Sequence, residues 1–394
     1  MKESHATILF ADLMNSTELA KNLTLQEYDD MLGDFQDTMF EVVSHHLDYF
    51  GYQGNGIDSE WTISGDELRV FLYSDNMDFD IRNVLLIATK IKLAWMASNF
   101  NQRVLSEQRL VSRIGVGINC GKVIKDVRPW RVKVGKAEPN IEGYAINLTK
   151  RIESASREGN VYQIMAGASL YKRCQQNNQL NVAFSNPKSL VFKGLGQKIP
   201  VYEVTSFVNF EIVSSMPVAL QEGLVEKMES TVRDAMPEPW VFIVLLRSYI
   251  SLLNSNNQED IDLRALEIGQ QALEVVEYKP VIYNILGWLH THGKNIRNLE
   301  MAFHYFDQSL GLEPKNEAAL LNRARILEEM GQSDLARHAY QEILFQNRQH
   351  PVARRKLAQY QELHSSPTEP RLLLKTNLDQ FRNHLGKPRR PRGK

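Results

Sequence analysis

The sequence changes its hydrophobic pattern at about residue 208, and this change constrains the fold more than any other feature. Before it, short apolar runs such as ATILFADL and KIPVYEV alternate with amphipathic helical stretches. Strands separated by helices favour an α/β or α+β sandwich. After it, almost every segment has helical periodicity. We therefore expect a mixed domain followed by an all-helical region.

The helical region contains an internal repeat of 34 residues. Small, aromatic and proline positions recur at this interval, namely Pro280/Pro314, Ala302/Ala336, Phe306/Tyr340 and Leu310/Leu344. The period resembles that of the tetratricopeptide repeat. Helix pairs of this kind bury their apolar stripes against their neighbours, so about three units would form a solenoid with a concave face. An irregular helical bundle is the alternative, and the pattern leaves dimerisation and partner sensing equally open.

Composition and charge exclude several classes of protein. The 394 residues are 43% hydrophobic and 24% charged, as in ordinary soluble domains. A net charge of −1 argues against a molecule that binds nucleic acid over its whole surface. Cys120 and Cys174 are too few for a disulfide framework or a zinc ribbon. With neither a signal peptide nor a membrane-length apolar run, we expect a cytoplasmic protein that spans no membrane.

These patterns predict four segments. Residues 1–208 form the mixed domain, 209–235 a linker, 236–364 the helical repeats and 365–394 a tail. The tail ends in GKPRRPRGK, a basic, proline-containing stretch that we expect to be disordered.

Two aspartates stand where apolar strands end. Asp12 follows ILFA, and Asp66 lies at the bend of the predicted hairpin TISGDELRVF. Carboxylates at neighbouring strand ends can share Mg²⁺ or Mn²⁺, which prefer oxygen ligands. Asn15, Ser16 and Thr17 then lead into a helix whose N-terminus suits a phosphate. The alternative is that one aspartate caps a helix and the other only makes a turn.

A polar pair follows in the segment GYAINLTKRIESAS. Asn147 and Arg151 are four residues apart and therefore share one helix face. An amide and a guanidinium on one face could hold a sugar and a developing phosphoryl charge. A solvated helix face is the alternative.

Five segments, in order, resemble the class III nucleotidyl cyclases. They span residues 5–206 and are LFADLMNSTELA, ISGDELRVF, RIGVGINCGKVI, GYAINLTKRIESA and FKGLGQKIPVYEV. The resemblance implies an α+β fold with a ferredoxin-like βααββαβ core, followed here by the tetratricopeptide-like helical repeats. It also implies a homodimer in which two such domains pair head to tail.

The resemblance further implies roles for the residues singled out above. Asp12, Asp66 and the backbone carbonyl of Leu13 would hold two Mn²⁺ or Mg²⁺ ions per site, and residues 15–17 would wrap the triphosphate. Asn147 would orient the ribose and Arg151 would stabilise the pentavalent phosphorus, both supplied by the other subunit.

The base-recognition positions depart from the purine cyclases. Thr62 stands where adenylyl cyclases carry a lysine, and Asn140 stands where they carry an aspartate. A hydroxyl and a carboxamide each offer a donor and an acceptor, so they could match uracil or, with the amide reversed, cytosine. The nearby aromatic residues either close this base pocket or belong to the core; they are Tyr49, Phe50, Tyr52 and Trp61.

A class III cyclase without these purine-recognising residues resembles the bacterial pyrimidine cyclases of anti-phage signalling. Those enzymes make cUMP or cCMP, to which a separately encoded effector responds. We therefore expect UTP to be converted to cUMP and diphosphate in response to an unknown phage-derived trigger. An adenylyl or cytidylyl cyclase with altered base recognition is one alternative. A catalytically inactive cyclase-like module for dimerisation or sensing is another, although the chain keeps both aspartates and Arg151.

Overall fold

The structure is a computed structural model. It describes residues 2–52, 58–107, 109, 112–126, 140–177, 180, 182–192, 196, 198–207, 215–217, 224–234, 239–255, 260–348 and 350–363. The chain divides into two compact units. The first contains residues 1–261 and 270–278, and the second contains residues 262–269 and the chain from residue 279 onward.

The first unit combines strands and helices. Their bounds are β1 Lys2–Leu13, α1 Ser16–Asn22, α2 Leu25–Tyr49, β2 Asp58–Ser64, β3 Glu67–Tyr73, α3 Met77–Met96, α4 Asn99–Ser106, β4 Ile114–Asp126, β5 Asn140–Glu142, α5 Tyr144–Ser154, β6 Ile164–Gly167, α6 Ala168–Gln176, β7 Val182–Phe184, β8 Lys188–Val191, β9 Lys198–Phe207, α7 Leu224–Asp234 and α8 Pro239–Ser255.

The strands form one mixed sheet in the order β2-β3-β1-β4-β6-β9-β7, with β5 beside β4 and β8 beside β9. β1 runs antiparallel to both β3 and β4, whereas β4 and β6 are parallel. The order β2-β3-β1-β4, with helices between β1 and β2 and between β3 and β4, is that of a ferredoxin-like βαββαβ core. The predicted α+β class is confirmed.

β1 is the central strand of this core and is buried on both faces. Ile8 and Phe10 point to one face, where they cluster with Val123 of β4. Leu9 and Ala11 occupy the other face and are also fully buried. Asp12 lies one residue before the end of β1, which places it at the edge of the core.

The second unit is helical. Its helices are α10 Lys279–His292, α11 Leu299–Leu312, α12 Glu317–Glu329, α13 Ser333–Gln346 and α14 Pro351–Leu363; helix α9, Ile261–Val275, precedes them and is divided between the units. α11 and α13 begin 34 residues apart, at 299 and 333, and so do α12 and α14, at 317 and 351.

Equivalent positions of the repeat share one core. Ala302 and Ala336 are fully buried, and Phe306 and Tyr340 lie in the same hydrophobic cluster. Gly331 has φ +74 at the end of α12, the left-handed conformation that commonly terminates a helix. The predicted helical repeat is confirmed in this part of the chain.

Two further observations concern the predicted organisation. Helix α7, Leu224–Asp234, lies within the predicted linker and packs against α3 and α4 of the first unit. The proposed boundaries stay predictions, and residues 365–394 lie outside the described residues. No helix in the described part of the chain is long and apolar enough to cross a bilayer.

Candidate functional site

Asp12 and Asp66 meet at one edge of the sheet. The register of β1 and β3 places Asp12 opposite Glu67, and the Leu13 N–H donates to the carbonyl of Asp66 at 3.2 Å. Gly65, with φ +63, starts the two-residue turn between β2 and β3, as in a type II′ turn. The predicted hairpin is therefore confirmed, and it carries Asp66 to the end of the central strand.

Lys150 of α5 inserts its ammonium group among carboxylates at this edge. Its Nζ donates to Asp12 Oδ2 at 2.8 Å, forms a short ion pair with Glu67 Oε2 and lies 3.5 Å from Glu153 Oε2. Arg69 pairs with the other oxygen of Glu67. These contacts gather acidic side chains from three elements around one cation.

Burial and like charges perturb the acidic groups. Burial raises the pKa of Asp12, and the neighbouring carboxylates of Asp66 and Glu67 act in the same direction, while Lys150 opposes them. Burial also raises the pKa of Glu153 to about 7. Burial alone would lower the pKa of Lys150, but its bonds to Asp12 and Glu67 outweigh that effect and raise it. The edge is therefore an electronegative site that favours a bound cation.

The residues of this edge fit a divalent cation in several respects. Asp12 Oδ1 is buried and has no hydrogen-bond partner among the described residues. Asp66 interacts electrostatically with Asp12 and is half-buried. Searched over the described ranges only, no three Asp, Glu, His or Cys side chains form a ready metal-binding group. Two carboxylates with the carbonyl of Leu13 thus remain the predicted ligand set.

The predicted transition-state residues lie on the exposed face of α5. Asn147 and Arg151 are both exposed, whereas Lys150 between them turns toward the carboxylates of its own chain. The helix α5 thus has two polar faces. Lys150 faces the carboxylates of its own chain, and Asn147 and Arg151 face solvent. Within one chain, neither Asn147 nor Arg151 contacts Asp12. This separation is expected if a second copy of the chain completes the site.

The predicted phosphate segment directly follows the acidic edge. Asn15 adopts a left-handed conformation, with φ 59, immediately before the short helix α1. Its carbonyl accepts from the N–H groups of Glu18 and Leu19. Ser16 is half-buried and Thr17 is exposed. Their role in binding a triphosphate stays a prediction.

The two predicted base-recognition residues lie on separate strands. Thr62 is exposed on β2, opposite Arg69 of β3. Asn140 begins β5 and pairs with Asp126 of β4, and its side chain lies outside the described residues. Whether the two side chains meet around a base stays a prediction.

The aromatic residues near this region differ in their burial and contacts. Tyr52 is fully buried, and its hydroxyl donates to Asp80 at 2.9 Å, so it is a core residue. The ring of Trp61 contacts that of Phe40 of α2 in a tilted arrangement, with the ring centroids 5.4 Å apart. Tyr49 is 58% exposed and remains available to a ligand or partner.

Sequence reasoning missed Glu67, Lys150 and Glu153. Lys150 and Glu153 are three residues apart and share a helix face, but nothing local indicates that this face meets the strand end. Gly117 of β4 allows the meeting, because a Cβ there would lie 2.3 Å from the backbone nitrogen of Glu153. The spacing of glycines in RIGVGINCG was the available signal.

One family model matches the chain, that of the tetratricopeptide repeat, over residues 297–360. No curated protein matches the sequence. Among solved structures, the chain is similar to a guanylyl cyclase, with 19% identity, 53% of this chain and 95% of the other covered, and a TM-score of 0.42.

Two other structures show comparable similarity. The adenylyl cyclase CyaB from P. aeruginosa has 19% identity and a TM-score of 0.40, covering 52% of this chain and 95% of the other. The guanylate cyclase domain of RhGC from Catenaria anguillulae, in complex with GTP, has 17% identity and a TM-score of 0.37, covering 53% and 100%. Since these scores lie below 0.5, the fold is defined here by the strand order of this chain itself.

Proposed function

We propose that this protein is a nucleotidyl cyclase. The reaction is attack of the ribose 3′-hydroxyl of a nucleoside triphosphate on its own α-phosphorus, which forms a 3′,5′-cyclic nucleotide and expels diphosphate. The observation that carries the proposal is the meeting of Asp12 and Asp66 at adjacent strand ends of a ferredoxin-like core, where one carboxylate oxygen is buried without a hydrogen bond from any described residue.

Each proposed residue has a defined task. Asp12, Asp66 and the Leu13 carbonyl would hold Mg²⁺ or Mn²⁺, which when bound lowers the pKa of the 3′-hydroxyl and neutralises phosphate charge. Asn15–Thr17 would bind the phosphates through backbone N–H groups and hydroxyls. Because the nucleophile is already tethered to the substrate, positioning accounts for much of the rate enhancement.

The outward face of α5 would complete the site of a second copy. Asn147 would hydrogen-bond the ribose and fix the direction of attack. Arg151 would place its guanidinium against the oxygens that gain charge as the phosphorus becomes five-coordinate. The exposure of both side chains supports this arrangement, since a residue that serves a neighbouring chain must be accessible from outside its own.

For the substrate we propose UTP. Thr62 supplies a short, exposed hydroxyl where a purine-selective lysine would otherwise stand, and Asn140 could pair with the uracil edge. A site built for one hydrogen-bond pattern rejects other bases strongly, because the wrong base leaves polar groups unpaired. The product cUMP would then act as a diffusible signal to a separate effector, as in the anti-phage systems that the sequence resembles.

The test is incubation of the purified full-length protein with Mn²⁺ and each of the four nucleoside triphosphates, with products identified by mass spectrometry. We expect cUMP to dominate. Dominant cAMP or cGMP would overturn the pyrimidine assignment but keep the cyclase, and cCMP would assign the other pyrimidine. Absence of any cyclic product would overturn the enzymatic proposal.

A matched pair of variants tests the carboxylate. Asp66→Asn should lower turnover by about a hundredfold or more, since one charged contact to the reacting groups is lost. Asp75→Asn removes an exposed carboxylate in the loop before α3 and should leave turnover unchanged. Equal turnover in both variants would remove Asp66 from the mechanism.

An inactive cyclase-like module is the second candidate. It is favoured by Lys150, whose ammonium already pairs with Asp12, one of the two carboxylates that a metal would need. The four-nucleotide assay separates the two candidates directly.

A further inference from the structure

We propose that Lys150 is an internal counter-ion that holds the acidic edge together without metal and leaves it when a divalent cation binds. The inference rests on the proposed function only for the statement that a divalent cation binds at Asp12 and Asp66. The role of Lys150 itself follows from the contacts of this chain.

The three N–H groups of the Lys150 ammonium are matched by three carboxylates. Asp12 Oδ2 and Glu67 Oε2 are both within hydrogen-bond distance, and Glu153 Oε2 lies at 3.5 Å. A lysine ammonium has three donors and no acceptor, so two of its donors are used by Asp12 and Glu67 while Glu153 adds an ion pair. The side chains of Glu67 and Glu153 are only 12% and 8% exposed, which makes an unpaired charge on either of them costly.

The ammonium pairs with the carboxylate of Asp12, which is one of the two carboxylates that a bound metal would use. It contacts one oxygen of Asp12, and the other oxygen is buried without a hydrogen bond among the described residues. A divalent cation and an ammonium on the same carboxylate would repel each other at close range. Binding of the cation therefore requires Lys150 to withdraw.

Lys150 has a route out of the site. Its side chain is 37% exposed, and its long, flexible stem lets the charge move into solvent without a change in the helix. The buried carboxylates cannot follow it, because Glu153 is packed against the backbone at Gly115 and Gly117. A divalent cation from solution thus replaces the Lys150 ammonium, while the backbone that carries the carboxylates keeps its position.

This exchange sets the metal affinity below that of the bare carboxylates. Each binding event must break the contacts of Lys150, so the apparent dissociation constant for the cation would be higher than that of the bare carboxylates. An arginine at this position, with a planar guanidinium that binds carboxylates in a bidentate manner, would raise that dissociation constant further.

The first experiment uses the unmodified full-length protein. Amine acylation is measured peptide by peptide with mass spectrometry, without metal and at saturating Mn²⁺. We expect acylation of Lys150 to rise severalfold with Mn²⁺, because the withdrawn amine becomes accessible. Lys122, whose side chain is 68% exposed in a surface ion pair with Glu3, is the internal reference and should not change. Unchanged or reduced acylation of Lys150 would overturn the inference.

The second experiment measures Mn²⁺ affinity by electron paramagnetic resonance of the free ion. Lys150→Met should bind Mn²⁺ about tenfold more tightly than the unmodified protein, as expected for loss of one partly screened competing charge. Lys150→Arg should bind it no more tightly. Lys122→Met is the matched control and should not differ. Equal affinities for all four proteins would contradict the exchange.

The outcomes separate this inference from the proposed function. Tighter Mn²⁺ binding by Lys150→Met with no cyclic product from any nucleotide would support the counter-ion and overturn the cyclase. If the protein makes a cyclic nucleotide but the substitutions of Lys150 leave its Mn²⁺ affinity unchanged, the cyclase is supported and the counter-ion is overturned. Failure of the unmodified protein to bind Mn²⁺ would overturn both.

Discussion

Glu203 shows how one buried carboxylate can organise a loop. It lies on β9, and it accepts hydrogen bonds from the four consecutive N–H groups of residues 160–163, at 2.7 to 3.0 Å. The same loop brings Gly159 so close that a Cβ there would lie 2.7 Å from a Glu203 oxygen. Four backbone N–H groups donate to one carboxylate, and these bonds stabilise the observed conformation of the loop between α5 and β6.

Replacing Glu203 by Gln should loosen this loop. The amide presents an N–H₂ group to backbone donors, so we expect a loss of about 3 kcal/mol in local stability. Hydrogen exchange at the amides of residues 160–163 should accelerate accordingly. Glu158→Gln, which changes an exposed carboxylate beside the same loop, should alter exchange little. Equal exchange in the two variants would show that the carboxylate charge is unimportant.

At the scale of elements, helix α5 approaches strand β4 along a row of glycines. A Cβ on Gly117 would meet the backbone of Glu153 at 2.3 Å, and one on Gly121 would meet Ala145 at 2.7 Å. Alternate residues of a strand share a face, so Gly117 and Gly121 lie on the same face of β4. The close approach of α5 is what carries Lys150 to the carboxylates of β1 and β3.

A pair of glycine substitutions tests this packing. Gly117→Ala should destabilise the first unit by about 2 kcal/mol, because the methyl group overlaps backbone atoms that cannot rotate away. Gly33→Ala, in the exposed part of α2 with open space around it, should be neutral or stabilise by up to about 1 kcal/mol. Urea unfolding monitored by circular dichroism measures both.

The outcome that would contradict the packing argument is a similar stability for Gly117→Ala and Gly33→Ala. If Gly117→Ala is destabilised as expected, it should also lose activity in the nucleotide assay at temperatures where it is folded. The shifted α5 would carry Asn147 and Arg151 out of position.

For the whole molecule, the important division is between the two faces of α5. Lys150 serves the acidic edge of its own chain, while Asn147 and Arg151 are exposed. A single chain therefore carries both halves of the proposed site but does not bring them together. A symmetric dimer would form two composite sites from identical surfaces.

Mixing two inactive variants tests this composite site. Asp66→Asn and Arg151→Ala should each be inactive alone. In an equal mixture with random assortment, half of the dimers are mixed and each has one intact site of two, so we expect about a quarter of the original activity. Dilution below the dimer dissociation constant should abolish the recovery. If an affinity-tagged copy of one variant co-purifies with the untagged other, mixed dimers are present. No recovery of activity under those conditions would mean that one chain supplies both residues to a site.

Features that depend on neighbours along the chain could be predicted from the order of the amino acids. Alternation of apolar residues predicted β1 and the β2–β3 hairpin, and the 34-residue period predicted the helical repeat. The same local patterns placed Asp12 and Asp66 at strand ends. The strands follow from side-chain periodicity within a few residues and the repeat from recurrence along the chain, so no knowledge of tertiary contacts was needed.

The surroundings of those aspartates depend on contacts between distant parts of the chain. The Lys150–Asp12 contact joins residues 138 positions apart, and it exists because glycines of β4 admit α5 closely. The register that sets Asp12 opposite Glu67 likewise depends on how two strands pair. Local sequence cannot encode such a meeting, since a lysine on a helix has the same periodicity whether it faces solvent or three carboxylates.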